Sequence, residues 1–199
     1  MTETKKLLEL ITKNSYTHLI FDMYETLSWL KLPWKAGYEA LCALAPDDLE
    51  FLMRQKWSEN PSYSYIVNPA VEMDESFLPI AIDWAQQFEK QLVEHEPNLE
   101  LVERIPELAE KYTLYVWTSN TQASVKKVLK ELAIEQYFTK IIAREDVKFL
   151  KPAPDGWRHV SDHAPKEKFL FIGDSYNDRE VAAAIGIDYF EITHFKQNK

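Results

Sequence analysis

The chain has 199 residues, 46% of them hydrophobic and 28% charged, which is ordinary for a globular protein. Its formal net charge of −9 argues against binding to nucleic acid or to an anionic membrane, because both need clustered lysine and arginine. No apolar run approaches the ~20 residues of a membrane-spanning helix, and the apolar stretch after the N-terminus is too short for a signal peptide. A single cysteine, Cys42, excludes an intramolecular disulfide and favours a reducing interior, so we expect a cytoplasmic protein.

The chain begins with a predicted helix and a predicted strand. Apolar side chains recur at helical spacing over residues 4–13, which predicts an amphipathic helix. His18–Phe21 is a short apolar strand, and Asp22 follows it directly. An aspartate at the carboxyl end of a buried strand lies where open α/β sheets bind their ligands. A carboxylate in that position can act as a nucleophile.

Residues 28–96 form a region rich in aromatic residues in which helical signals dominate. Pro61 and Pro69 indicate a loop over residues 58–74. The rest of the region is expected to form three helices, over residues 34–44, 49–57 and 75–94. A helical block directly behind a strand-end aspartate suggests a lid that excludes water and recognises substrate.

After residue 97 the pattern becomes an alternation of strands and helices, which is typical of a parallel sheet. Strands are expected over residues 113–117, 140–143, 168–172 and 189–192. Helices are expected over residues 107–111, 123–132, 156–163 and 179–185. Gly186 is predicted to end the last of these helices in a left-handed conformation.

Polar residues follow these elements in four clusters: Asp22/Tyr24/Thr26, Ser119/Asn120, Lys151 and Asp174/Asp178. The carboxyl ends of parallel strands share one edge of the sheet, so we expect the four clusters to converge. Asp22 would attack, while Ser119 and Lys151 could hold an anionic group. Asp174 and Asp178 could bind a hard cation through oxygen ligands.

Taken in order, the four clusters resemble the four motifs of the haloacid dehalogenase superfamily of aspartate-nucleophile hydrolases. The matching stretches are Asp22-Met23-Tyr24-Glu25-Thr26, Ser119-Asn120, Lys151-Pro152 and Gly173-Asp174-Ser175-Tyr176-Asn177-Asp178. The resemblance implies a Rossmann-like three-layer α/β/α core with a parallel sheet, formed by residues 1–27 and 97–199. It also implies an inserted helical cap of the C1 type over residues 28–96.

The resemblance also implies roles for individual residues. Asp22 would be the nucleophile, supported by Thr26. The transferring phosphoryl group would be bound by Ser119, Asn120 and Lys151. Mg²⁺ would be held by Asp22, Asp174 and the backbone carbonyl of Tyr24, with Asp178 supporting that site. The expected partner is a small-molecule substrate.

One position departs from the phosphatase pattern. Phosphatases of this superfamily carry a second aspartate two residues after the nucleophile, as general acid and base, where this chain has Tyr24. A free tyrosine has a pKa of ~10, so it is a poor base at neutral pH. The loss of a positioned acid–base group typically lowers a rate by about 10²–10⁴-fold. Such an enzyme should form its phosphoenzyme more readily than it hydrolyses it.

Tyr24 leaves a second function open. Tyrosine at this position marks the 2-haloacid dehalogenase branch, whose first motif reads Asp-x-Tyr-Gly-Thr and whose cap arginine receives the substrate carboxylate. Arg54 resembles that arginine, and arginine suits bidentate carboxylate binding.

The fourth motif points to the phosphatases instead. Dehalogenases have replaced the carboxylate that stands here as Asp174, and two carboxylates beside Asp22 without a cation would repel one another. We therefore favour a Mg²⁺-dependent phosphatase. The alternatives are a metal-independent dehalogenase and a catalytically weak member that binds a phosphometabolite or a protein partner.

Overall fold

The computed structural model describes residues 1–60, 62–160 and 163–195. Its strands are β1 (His18–Phe21), β2 (Ser28–Leu30), β3 (His95–Pro97), β4 (Thr113–Trp117), β5 (Phe138–Ile142), β6 (Phe169–Gly173) and β7 (Asp188–Glu191). Its first five helices are α1 (Glu3–Lys13), α2 (Trp34–Cys42), α3 (Asp47–Glu59), α4 (Tyr63–Met73) and α5 (Phe77–Glu89). The others are α6 (Leu99–Val102), α7 (Ile105–Ala109), α8 (Gln122–Glu131), α9 (Trp157–Val160) and α10 (Tyr176–Ile185).

The described residues form one parallel sheet with the strand order β5-β4-β1-β6-β7. The central strand β1 pairs with β4 on one side and with β6 on the other, and Phe21 lies opposite Val116 and Ile172. Since all five strands run in the same direction, the residues that follow β1, β4 and β6 meet at one edge. This edge positions the candidate site.

Helices cover both faces of the sheet. In β1, Leu19 and Phe21 pack into the cluster that contains α1, α7 and α8, whereas Ile20 packs into the cluster on the opposite face. This alternation explains why the strands are continuous apolar runs, since every position faces a core. The α10 residues Val181 and Ile185 belong to the second face. The predicted three-layer Rossmann-like α/β fold is confirmed.

A block of four helices, α2–α5, lies between β2 and β3. These two short strands pair antiparallel, with Ser28 opposite Pro97 and Leu30 opposite His95. We call residues 31–94 the helical insertion. Its buried side chains join the cluster on the second face of the sheet, except Leu92, which packs on the first face.

The prediction of a loop over residues 58–74 was wrong, because α4 occupies most of this range. Pro69 lies inside this helix, where a proline costs roughly 3 kcal/mol. The helix nevertheless buries Ile66, Val67 and Val71, and each such side chain contributes about 1.5–3 kcal/mol. Burial therefore outweighs the local penalty.

The other predicted elements are present, with ends that differ by a few residues. The prediction of a helix over 156–163 corresponds to a 3₁₀ turn, Pro154–Gly156, followed by α9. Residues 161 and 162 lie outside the described part of the chain. Gly186 ends α10 with a φ of 83°, the predicted left-handed conformation.

None of the helices described is both long enough and apolar enough to span a bilayer.

Candidate active site

A buried lysine joins two aspartates at the centre of the sheet edge. The Lys151 ammonium donates to Asp22 Oδ1 at 2.7 Å, to Asp178 Oδ1 at 2.5 Å and to the carbonyl of Trp117 at 3.0 Å. These three bonds use all of its N–H groups. Lys151 is 3% exposed and Asp178 is fully buried, so both charges depend on this pairing.

Contacts with Ser175 and Gly173 fix the side chain of Asp178. Its Oδ2 accepts from the Ser175 backbone N–H at 3.1 Å and from the Ser175 hydroxyl at 2.6 Å. The Ser175 hydroxyl in turn accepts from the Asp178 N–H, and these reciprocal bonds form the N-terminal cap of α10. Gly173 approaches the same carboxyl so closely that a Cβ there would lie 2.6 Å from Oδ2. Only glycine allows this approach.

Three carboxylates, those of Asp22, Asp174 and Asp178, form a cluster that a metal ion could occupy. One oxygen of each lies within 4.8 Å of the others. Thr26 donates to Asp174 Oδ1 across a long contact of 3.5 Å. Three negative charges against the single Lys151 ammonium leave an excess of two, which one divalent cation would neutralise. Oxygen donors of this kind suit Mg²⁺.

The pKa values in this cluster reflect the crowding of charge. Burial raises the pKa of Asp22 to about 7, with Asp178 adding to the rise and Lys151 opposing it. Burial alone would lower the pKa of Lys151, but Asp178 and Asp22 together raise it. The lysine therefore stays charged, and a cation beside these carboxylates would favour the ionised form of Asp22.

The loop after Asp22 turns sharply. Glu25 has a φ of 58°, a left-handed conformation that non-glycine residues adopt at a cost of roughly 1 kcal/mol. Its N–H donates to the carbonyl of Ser28 at 3.0 Å, which closes the turn. This geometry explains why a glycine would suit the fourth position of the first motif.

Glu25 also holds the side chain of Tyr24. The Tyr24 hydroxyl donates to the Glu25 carboxylate and accepts from the Trp29 indole. Burial, and then the Glu25 charge, raise the pKa of Tyr24 well above 10. Its ring lines the cavity beside Asp22, but its proton is engaged elsewhere.

The loop after β4 has two different residues. Ser119 lines the cavity, and its hydroxyl has no hydrogen-bond partner among the described residues. Asn120 also lines it, but its amide accepts from the Thr118 hydroxyl and donates to Glu89 Oε1 at 3.2 Å. Ser119 is thus free for a ligand, and Asn120 serves to anchor Glu89.

Glu89 links the helical insertion to the start of α8. Its Oε2 accepts from the Thr121 N–H at 2.9 Å, from the Thr121 hydroxyl at 2.8 Å and from the Ser124 hydroxyl. The positive end of a helix favours such a carboxylate. Burial raises the pKa of Glu89, and these hydrogen bonds act in the opposite direction.

Two more contacts tie the helical insertion to the site loops. The Asn68 amide donates to the carbonyl of Leu150 and accepts from its N–H, both at 2.8 Å, directly before Lys151. Asn177 donates to the hydroxyls of Ser62 and Ser64 at 3.1 and 2.8 Å. The insertion therefore contacts the loops that carry the second, third and fourth motifs.

These contacts enclose a cavity of about 240 Å³ between the sheet edge and the helical insertion. From the sheet edge it is lined by Asp22, Tyr24, Thr118, Ser119, Asn120, Lys151, Asp174, Ser175 and Asn177. From the helical insertion it is lined by Trp34, Tyr38, Ser62, Tyr63, Ser64, Trp84 and Glu89. The carboxylate of Asp22, the ammonium of Lys151 and the hydroxyl of Ser119 thus share one small cavity.

Comparison with known families decides the identity. A model of the haloacid dehalogenase-like hydrolases matches residues 44–192. The chain belongs to this family.

The relatives of this haloacid dehalogenase-like hydrolase differ in their reactions. It is 35% identical over 80 residues to phosphoglycolate phosphatase from Escherichia coli K12, across 39% of this chain and 31% of that protein. The match thus spans about a third of the relative's length. A hydrolase of the same superfamily from Bacillus subtilis, bound to magnesium, aligns with a TM-score of 0.55, 20% identity and coverage of 90% and 88%. A 2-haloacid dehalogenase from Pseudomonas syringae pv. Tomato aligns with a TM-score of 0.57, 19% identity and coverage of 92% and 88%. At these identities the structures support the fold alone.

The structure places one predicted site residue of this hydrolase away from the others. Arg54 is exposed on α3, where its Nη2 lies 2.6 Å from Glu50 Oε1, one helical turn away. It does not line the cavity. The resemblance that suggested Arg54 rested on its position in the sequence, which does not determine which side of a helix faces a site.

The sequence reasoning missed several residues at the site, among them Glu89 and Asn68, which link the helical insertion to the site loops. Glu89 follows Trp84, Ala85 and Phe88 on the buried side of α5, and a charged residue on an apolar helix face was a usable signal. Asn68 lies in α4, which was predicted to be a loop. No local signal pairs it with Leu150, because the contact joins distant parts of this haloacid dehalogenase-like hydrolase.

Proposed function

We propose that the protein is a Mg²⁺-dependent phosphatase of a small phosphorylated metabolite, with Asp22 as its nucleophile. The observation that supports this most strongly is the cluster of Asp22, Asp174 and Asp178 around a single lysine, with its excess of two negative charges. Asp22, Asp174 and the Tyr24 backbone carbonyl would hold the ion, and Asp178 would hold Lys151 beside it. The ion would supply positive charge to the phosphoryl oxygens.

The reaction would proceed in two displacements. An Asp22 carboxylate oxygen forms a bond to phosphorus while the bond from phosphorus to the ester oxygen breaks, and the leaving alkoxide takes a proton from water. A second water then attacks phosphorus, which releases inorganic phosphate, restores the Asp22 carboxylate and returns a proton to solvent. Ser119 would donate to the phosphoryl group through both steps, and Lys151 would bind it by turning one N–H group from a present acceptor to a phosphoryl oxygen. Each displacement is easier than direct attack by water.

Tyr24 would make the second displacement slow. Its hydroxyl donates to Glu25 and its pKa is raised, so it offers neither a mobile proton at neutral pH nor a base for the attacking water. We therefore expect the phosphoenzyme to accumulate.

The decisive experiment measures phosphate release from a panel of small phosphomonoesters with Mg²⁺ and with EDTA. We expect release that stops with EDTA, and an acid-stable phosphoenzyme at Asp22 trapped during turnover. A panel that gives neither turnover nor phosphoenzyme would overturn the proposal.

Substitution of Tyr24 tests the acid–base position. Tyr24→Asp should speed phosphoenzyme hydrolysis, and Tyr24→Phe, the matched control, should leave it nearly unchanged. If Tyr24→Phe slowed hydrolysis as much as Tyr24→Asp sped it, the hydroxyl would be an active proton donor after all.

A 2-haloacid dehalogenase is the second candidate, and Tyr24 is the feature that favours it. Three observations weigh against a dehalogenase. Asp174 is retained, and Arg54 lies outside the cavity. The Glu89 carboxylate lines the cavity, where it would repel the carboxylate of a haloacid. Halide release from 2-chloropropionate in EDTA would support the dehalogenase. A folded protein with neither activity would support the third candidate, a binding member of the family.

We further propose that residues 28–96 act as a cap over the core. The polar contacts of Glu89, Asn68 and Asn177 with the site loops support this role. A cytoplasmic location remains our prediction.

A further inference from the structure

The cavity would offer a phosphate ester two walls of different chemistry. Asp22, Asp174 and Lys151 stand at the sheet edge, where the phosphoryl group would bind. The opposite wall comes from the helical insertion and is mostly aromatic. The group that leaves with the ester oxygen must lie against that wall.

The aromatic wall is continuous, formed by Trp34, Tyr38, Tyr63 and Trp84 of the helical insertion together with Tyr24 of the sheet edge. Tyr24 meets Trp34 edge to face, with ring centroids 5.5 Å apart. Trp34 and Tyr63 each lie 5.9 Å from Tyr38, and Tyr63 stacks on it nearly parallel. Trp84 follows at 5.5 Å from Tyr63. Such rings gain most from contact with another flat ring.

The same wall carries no positive charge. Among the described residues that line the cavity, Lys151 is the only cation, and the proposed function already assigns its charge to the phosphoryl group. Arg54 pairs with Glu50 on the surface. A substrate with a second anionic group would have to bury that charge unpaired beside Glu89, which is strongly unfavourable.

Arg144 is the other buried cation near this wall. It is fully buried and donates from Nη1 to the carbonyl of Val147 at 3.3 Å, while its Nε and Nη2 have no hydrogen-bond partner among the described residues. It contributes nothing to the cavity lining.

We propose that this site prefers monoesters of an uncharged alcohol that carries a single flat ring, and discriminates against esters with a second anionic group. The proposal rests on the phosphatase function proposed above. It sets this chain apart from the phosphoglycolate phosphatases that it resembles in part, because glycolate carries a carboxylate. The volume of about 240 Å³ is below the ~300–1,000 Å³ of drug-sized sites, which suits one ring.

Two phosphonates test the preference without turnover. Benzylphosphonate carries a neutral ring and phosphonoacetate carries a carboxylate, and binding of each to the Mg²⁺-loaded protein can be followed by calorimetry and by quenching of tryptophan fluorescence. We expect benzylphosphonate to bind at least tenfold more tightly, since a buried ring gains roughly tenfold to hundredfold in affinity. Equal or tighter binding of phosphonoacetate, or no binding of either compound, would overturn the inference.

Turnover separates this inference from the proposed function. The comparison uses benzyl phosphate and phosphoglycolate, and kcat/KM should favour benzyl phosphate by about tenfold. Faster hydrolysis of phosphoglycolate would keep the phosphatase and overturn the ring preference. Tight binding of benzylphosphonate with no release of phosphate from any ester would support the ring preference and overturn the phosphatase function.

A pair of tryptophan substitutions locates the effect. Trp34→Leu should weaken benzylphosphonate binding by roughly threefold to tenfold and leave phosphonoacetate nearly unchanged. Trp157→Leu, the matched control, removes a half-buried tryptophan that packs on Phe169 and does not line the cavity. Trp34→Phe should keep most of the preference, which guards against a Trp34→Leu protein that folds poorly. Equal losses at both tryptophans would contradict the assignment of the wall.

Discussion

The two walls of the cavity hold their shape by different means. At the sheet edge, Asp22, Lys151 and Asp178 are joined by short charged hydrogen bonds in a buried setting. In the helical insertion, aromatic rings pack on one another. Its contacts to the site loops come from amides, hydroxyls and the Glu89 carboxylate, and an ion pair between Glu75 and Lys148 at 2.9 Å joins it to the core farther from the cavity.

This difference separates two tasks. The charged wall depends on exact electrostatic balance, so the loss of one group should have a large effect on reaction rate. The aromatic wall depends on area and shape, and a change there should shift affinity by smaller amounts. Substitutions in each wall can test this distinction.

The largest expected effect follows from Asp22→Asn. An amide of nearly the same shape cannot form the phosphoenzyme, so kcat should fall by about 10⁴-fold or more. Asp83→Asn, at an exposed position on α5, is the matched control and should leave kcat unchanged. Retention of more than a hundredth of the rate by Asp22→Asn would mean that another group attacks.

The crowding of carboxylates should make the metal-free protein sensitive to pH. Because folding raises the pKa of Asp22 from 3.8 to about 7, the folded state retains a proton between these values that the unfolded state has lost. The free energy of unfolding should therefore fall as pH rises from about 4 to 7, by up to about 1.4 kcal/mol per pH unit from this group.

Urea unfolding at pH 5 and at pH 7.5, with and without Mg²⁺, measures this dependence. Added Mg²⁺ should restore stability at pH 7.5 and have less effect at pH 5. Asp22→Asn should flatten the difference between the two pH values, which separates Asp22 from other titrating groups. If the free energy of unfolding changed equally between pH 5 and pH 7.5 in both proteins, the pH dependence would come from a group other than Asp22.

A moderate effect is expected from Asn68→Ala. The substitution leaves the N–H and carbonyl of Leu150 without their partner, at a cost of about 1–3 kcal/mol. It should also lower kcat/KM by roughly tenfold, because Lys151 follows directly and small displacements of a positioned group are costly. Asn14→Ala removes an exposed amide contact to Leu10 and serves as the control. Unfolding curves and steady-state rates of both proteins measure the two effects. A loss of stability with an unchanged kcat/KM would mean that Asn68 has a structural role alone.

The smallest effect is expected from Arg54→Ala. The side chain is exposed and pairs only with Glu50 one turn away, a type of contact that contributes little. Rates on phosphate esters should stay within about twofold of the original. A large loss of rate on any substrate that bears a carboxylate would instead identify Arg54 as the residue that binds this carboxylate.

The sheet edge could be predicted from the sequence because its signals are local. Strand β1 is an apolar run, and Asp22, Lys151 and Asp174 each follow recognisable elements whose parallel arrangement brings them together. Their charges also constrain one another, which allowed a cation site to be proposed before any geometry was known.

The aromatic wall and the contacts around it could not be predicted in this way. Pro69 indicated a break, whereas the burial of α4 against its neighbours makes a helix there. Glu89 and Asn68 contact loops that are far away in the chain, and their partners depend on how helices pack. The position of Arg54 depends on the rotation of α3 about its axis, which a short charged segment does not specify.

The ribbon of β2 and β3 makes the helical insertion a separable module. Leu30 lies opposite His95, so the chain leaves and re-enters the core at neighbouring points, about 5 Å apart as in any antiparallel pair. A tight turn, or another helical segment of any length, could join these two strands while β1 and β4 keep their places. Recombination at this ribbon would exchange the aromatic wall as one unit, and a new segment would also have to replace the contacts of Asn68 with Leu150, which precedes Lys151.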